Sequence, residues 1–186
     1  MPETDCLALL ANPHIRLSGS VDQEMYSSFR QQLETCPAGP IVISITTLGG
    51  DPEVARLMGD DVRLLREQDG REIIFLGKVA VYSAGATFMA AFPVDCRFLT
   101  EETWLMIHDR QMHKTIPLDG PLRSCVAVLK ATLHEIEHSV IIEQQGFKEI
   151  IKNSKVDFDT VCKRAHENWY INCREAVKLG LVHNVI

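Results

Sequence analysis

A chain of 186 residues, 46% hydrophobic and 24% charged, has the composition of one soluble globular domain, residues 1–186, with a sizeable core. Its formal net charge of −6, with no Lys/Arg stripe to neutralise phosphates, argues against a nucleic-acid partner. No apolar run is long enough to span a bilayer, so no membrane partner is expected.

The opening Met-Pro-Glu-Thr-Asp-Cys lacks the basic and apolar regions of a secretory signal. Cys6, Cys36, Cys96, Cys125, Cys162 and Cys173 are scattered without a C-x-x-C pair and read as reduced thiols, which predicts a cytoplasmic location. Along the chain, Val21, Met25, Phe29 and Leu33 repeat at helical spacing. Ile41–Thr46 reads as a buried strand, and Val54, Leu57, Met58, Val62 and Leu65 predict a second helix. Glu72–Gly77 and Val79–Tyr82 are strand-like, and the small residues from Ser83 to Phe92 suggest a helix. Trp104–His108 is another apolar strand. From Pro121 to about residue 149 a long helix is predicted, with Leu122, Val126, Leu129, Leu133, Ile136 and Val140 on one face. Helices around Phe158–Ala165 and Arg174–Gly180 precede a last strand, Leu181–Ile186. This alternation predicts an α/β fold with a largely parallel sheet.

Strand ends are where such folds place chemistry, and three carry suitable residues. In Thr46-Thr47-Leu48-Gly49-Gly50-Asp51-Pro52 the glycines permit a tight turn, Asp51 can cap a helix, and free N–H groups can hold an oxyanion; a plain strand-to-helix turn has the same composition. Ser83 stands at the corner between an apolar strand and a small-residue helix, which suits either a nucleophile or an N-cap. Thr87, one turn later, is a weaker candidate inside the helix. His108 follows an apolar strand directly, as a rigidly held general base would, although a strand-end His also serves structure alone.

The fragments "RLSGSVDQEM", "ISITTLGGDPEVA", "VYSAGATFMAA", "LMIH" and "CREAVKLGLVHNVI" together resemble the Clp protease proteolytic subunit family, from about Arg16 to Ile186. The resemblance implies a crotonase-like spiral of mostly parallel strands and helices with a protruding handle helix. It assigns Ser83 as nucleophile, His108 as base, Gly50 and Ala84 as oxyanion donors, and Asn168 at the position of the family's catalytic Asp. It implies no cofactor, homo-oligomeric rings (heptameric and stacked) enclosing a chamber, peptide or unfolded-protein substrates, and an AAA+ unfoldase as partner in ATP-dependent proteolysis. The sequence departs from the pattern in Val79-Ala-Val-Tyr-Ser83 before the nucleophile and in Asp109-Arg110, where the family has Gln-Pro. Asn168 replaces the acid, and Glu167, Asp157 and Asp159 are alternative carboxylates. The segment between His108 and Asn168 is about eleven residues longer than usual, roughly three helical turns.

A rival motif is His134-Glu135-x-x-His138, the helix spacing of zinc peptidases, but no third ligand stands at the spacing such a site needs, Glu143 and Glu149 being the remaining candidates. It falls within the long helix, away from Ser83 and His108, and suits a solvated charged face, so no metal is expected. The reading that results is a serine endopeptidase with a Ser-His-Asn site. The alternatives are a non-catalytic ring subunit, which Asn168 favours, a crotonase-type acyl-CoA enzyme, and the zinc peptidase.

Overall fold

The computed structural model describes residues 8–186. Its sheet has seven strands: β1 (Ile15–Ser18), β2 (Ile41–Thr47), β3 (Ile73–Tyr82), β4 (Arg97–Leu99), β5 (Trp104–Ile107), β6 (Trp169–Asn172) and β7 (Asn184–Val185). The order is β1-β2-β3-β4-β7, with β5 and then β6 attached to β3 beside β4. Every pairing is parallel except β5 with β6. β2 and the first half of β3 are buried on both faces, which is why they read as continuous apolar runs.

The helices lie where strand connections require them. α1 (Gln23–Glu34) is capped by the Asp22 side chain, which accepts from the Met25 N–H. α2 (Pro52–Asp69) is capped by Asp51, begins on Pro52 and stops at Gly70, whose φ of 60° is left-handed. α3 (Ala84–Met89) is shorter than its sequence suggests, because the chain tightens into i−3 bonds, Ala91 to Phe88 and Phe92 to Met89, ahead of Pro93. α4 (Leu122–Ile151) has 30 residues, about 45 Å of helix, and closely matches the predicted span. α5 (Phe158–Ala165) and α6 (Cys173–Leu179) complete the set. The main core joins sheet and helices around Phe29, Met58, Phe75, Phe88 and Phe92. These rings meet edge to face, Phe75 with Phe92 at 5.3 Å and Phe88 with Phe92 at 5.3 Å. A smaller cluster of Leu10, Val42, Ile74, Leu76 and Phe98 forms separately.

Two apolar segments that the sequence separates, Glu72–Gly77 and Val79–Tyr82, are halves of one strand. β3 pairs with β2 at Ile45↔Gly77 and next at Thr47↔Val81, so two extra residues bulge out between. Val79 takes φ 60° there and is exposed. Before the bulge the other edge of β3 pairs with β4, ending at Gly77↔Leu99; after it, with β5, from Ala80↔Trp104.

One buried cation fastens the far end of this assembly. Arg97 is 2% exposed. Its guanidinium donates to the carbonyls of Phe92 (2.8 Å), Leu181 (3.0 Å), Ile150 (3.2 Å) and Ala90 (3.4 Å). Burial lowers its pKa to about 10. These carbonyls lie at or beyond the ends of α3, α4 and α6, where backbone acceptors lack helical partners. Arg97→Met, which keeps the volume and removes the donors, is expected to cost roughly 3 kcal/mol or more in urea unfolding.

Candidate active site

The bulge at Val79 sets the register that builds the site. Because Tyr82 pairs with Met106, the residues that follow each strand, Ser83 and His108, emerge side by side. The Ser83 N–H extends the ladder by donating to the Met106 carbonyl at 2.8 Å. Ser83 Oγ then stands 2.7 Å from His108 Nε2. Ser83 has φ 53° and ψ −112°, a conformation that only glycine adopts without strain, and its hydroxyl makes no capping bond. The N-cap explanation therefore fails, since the hydroxyl is turned to the imidazole. Gly49 lies against this corner, where an added Cβ would sit 3.0 Å from Ser83 Cβ.

Gly50 forms a parallel bridge with Val21, in which the Val21 N–H donates to Gly49 and the Asp51 N–H donates to Val21. That pattern turns the Gly50 N–H away from Val21, and among the described residues it has no acceptor. A side chain is excluded, because φ is 146° and a Cβ would stand 2.3 Å from the Val21 carbonyl. Ala84 opens α3, and its N–H has no partner within the helix. Gly50, Ser83 and His108 border a cleft of about 640 Å³ whose far wall is α4, through Ile136, Val140 and Phe147. A hydroxyl held by an imidazole beside free backbone donors is equipped for acyl transfer.

Other residues are less closely gathered. Asn168 is exposed on a left-handed turn, φ 58°, with its N–H on the Ala165 carbonyl at 3.0 Å. Its side chain makes no hydrogen bond to His108, and among the described residues no group accepts from His108 Nδ1. Glu167 is exposed on the same turn, Asp159 is exposed on α5, and Asp157 is engaged as the cap of α5 on Thr160. Thr87 lines the cleft one helical turn from Ser83. His134 and His138 are exposed on α4, with Glu135 ion-paired to Lys114 and Glu149 to Lys152. Among the described residues no three His, Cys, Asp or Glu side chains are grouped to hold a metal ion.

The pairs around Asp109 and Arg110 were not anticipated. Asp109 Oδ2 meets His166 Nδ1 at 2.8 Å, the Arg110 guanidinium pairs with Glu53, and the Arg110 N–H donates to Glu143. The one signal in the sequence is the charged dipeptide directly after His108. Burial pushes the Glu53 carboxyl upward, but Arg110 and Arg56 outweigh it and hold the group below its ordinary value.

A family model described as Clp protease matches residues 3–186. The ATP-dependent Clp protease proteolytic subunit 2 of Treponema pallidum is 23% identical over 181 residues, 95% of this chain and 83% of that protein. The protein of the same description from Pseudomonas aeruginosa is 24% identical over 175 residues, 91% of this chain and 79% of that one. Among solved structures, an asparagine-to-aspartate mutant of ClpP1 from Listeria monocytogenes superposes with a TM-score of 0.75 at 20% identity, covering 97% of this chain and 94% of that chain. The likeness places this chain in the same fold.

The strain at Ser83 is measurable without any substrate. Ser83→Ala loses the hydrogen bond and keeps the strained backbone, whereas Ser83→Gly loses the bond and relaxes the backbone. Urea denaturation is expected to find the Gly variant more stable than the Ala variant by about 1–2 kcal/mol, reversing the usual penalty for glycine.

Proposed function

This chain belongs to the Clp protease family, and from that premise we propose that it is a serine endopeptidase whose nucleophile is Ser83 and whose general base is His108. The observation that carries the reading is the 2.7 Å approach of Ser83 Oγ to His108 Nε2 at a strained strand-to-helix corner. Ser83 Oγ attacks the peptide carbonyl as His108 takes its proton; the imidazolium then protonates the leaving amine. The Gly50 and Ala84 N–H groups receive the developing oxyanion. Extended peptide lies in the cleft against α4 as an added strand.

Asn168 is the proposed acceptor for His108 Nδ1–H, and its exposed turn must close on the ring to serve. An amide oxygen can hold the tautomer but lacks the charge that stabilises imidazolium, so turnover is slow. The unpartnered Nδ1 is also the observation that favours the second reading, a non-catalytic ring subunit.

Assembly belongs to the same proposal. Leu122, Val126, Leu129, Leu133, Ile136 and Val140 of α4 are each exposed by 42% or more. Such a stripe calls for a covering surface, and rings of this chain, heptameric and stacked around a chamber, supply one. An AAA+ unfoldase as feeder fits the curated relatives, whose names describe subunits of an ATP-dependent protease.

A fluorophosphonate probe is expected to label Ser83, and Ser83→Ala to abolish peptide hydrolysis; labelling that persists in the Ala variant would move the nucleophile elsewhere, to Thr87 first. Asn168→Asp should raise kcat on a short peptide by about tenfold or more while Glu167→Gln changes little. The reverse result assigns the third role to Glu167. Sedimentation at micromolar concentration should find no stable monomer, and a monomer there contradicts the ring.

A further inference from the structure

The two residues after His108 reach three other elements. Asp109 pairs with His166 on the turn between α5 and β6, two residues before Asn168. The Arg110 guanidinium pairs with Glu53, three residues beyond Gly50 at the start of α2, and its N–H donates to Glu143 of α4. The segment that carries the base is thereby tied to the turn that carries Gly50, to the turn that carries Asn168 and to the cleft wall. Among the described residues His108 is bonded through Nε2 alone, so its ring has no second anchor there. Where the ring stands depends on how this segment is held.

We infer that Asp109 and His166 are positioning residues for the base, their pair holding the His108 segment against the Asn168 turn while the Arg110–Glu53 pair holds it to the Gly50 turn. The inference rests on the peptidase reading. His166 and Asp109 have side chains 81% and 38% exposed, and such pairs add little to global stability. Rate is a more sensitive readout, because small displacements of a catalytic group cost far more in kcat than in folding.

The charge state of His166 governs the pair. It faces Asp109 from the His108 segment and Glu167 on its own turn; Asp109, with Asp159 and Glu143, also acts electrostatically on Cys162 of α5. The hydrogen bond and attraction from Asp109 raise the His166 pKa above its ordinary value. The pair is therefore complete at and below the ordinary His range and is lost as pH rises through the raised value.

The test measures kcat and KM on a short peptide, with fluorophosphonate labelling of Ser83, from roughly pH 5.5 to 9. The proteins are the unaltered chain, Asp109→Asn, His166→Gln, His166→Arg and the double variant Asp109→Asn/His166→Arg. In the unaltered chain kcat should fall about threefold or more as His166 loses its proton, with KM nearly constant. His166→Arg, permanently charged, should remove that fall. His166→Gln and Asp109→Asn should be slow throughout, and His166→Arg should bring no gain when Asp109 is Asn. Labelling of Ser83 with superimposable profiles in all five proteins overturns this inference alone. Absence of Ser83 labelling in the unaltered chain overturns the peptidase reading and this inference with it.

Discussion

The two-residue bulge in β3 is the constraint from which the site follows. A strand in a parallel sheet keeps one neighbour on each edge, and β3 changes one of its two at Val79, from β4 to β5. The change needs a left-handed residue at the bulge, and Val79 accepts φ 60° despite its branched side chain. Pairing with β5 then fixes which residues meet. The Tyr82↔Met106 register leaves Ser83 and His108 as the first residues free to leave the two strands near one another. A one-residue slip would turn one of them to the opposite face of the sheet.

The strain at Ser83 is held by its surroundings. Its N–H is fixed on the Met106 carbonyl, Gly49 closes against its Cβ, and Ala84, Gly85 and Ala86 are buried behind it. Gly85 leaves no space for a larger residue, since a Cβ there would lie 2.5 Å from the Thr47 side chain. Thr47 also receives the Gly49 N–H at 3.0 Å, which fixes the neighbouring glycine turn. The two turns that frame the cleft are thus coupled through β2 and α3 rather than set independently.

Much of this was legible because the signals are local. A buried apolar strand and a small residue at its end marked Gly50, before a helix capped by Asp51, and Ser83, before a small-residue helix; an apolar strand ending in His marked His108. The long stripe of α4 was legible from its period alone. The short strands β4 and β6 were not, because Arg97–Leu99 and Trp169–Asn172 are too brief to establish a period and β4 begins with a charge that is buried. The final strand is only Asn184–Val185, paired with Phe98 and Leu99 of the three-residue β4. Ion pairs such as Asp109–His166 join residues remote in sequence, and charge alone names no partner. The left-handed turn at Asn168 was likewise hidden, although Asn tolerates such a conformation better than most residues.

Two features of the isolated chain are incomplete, and they share a location. Among the described residues His108 lacks a partner at Nδ1 and nothing covers the apolar stripe of α4. Ile136 and Val140 belong to both stories, being exposed members of the stripe and also part of the cleft wall. Glu143, one turn after Val140, holds the Arg110 N–H and so touches the segment that carries the base. Covering the stripe would therefore dehydrate one wall of the cleft and press on the helix that fixes the base segment. The helix has few buried residues to oppose such a shift: Phe147 and Ile150 near its C-terminus and Thr132 in its first half. Glu143 and Glu135, the latter through Lys114, are thus the points at which α4 meets the segment that follows the base.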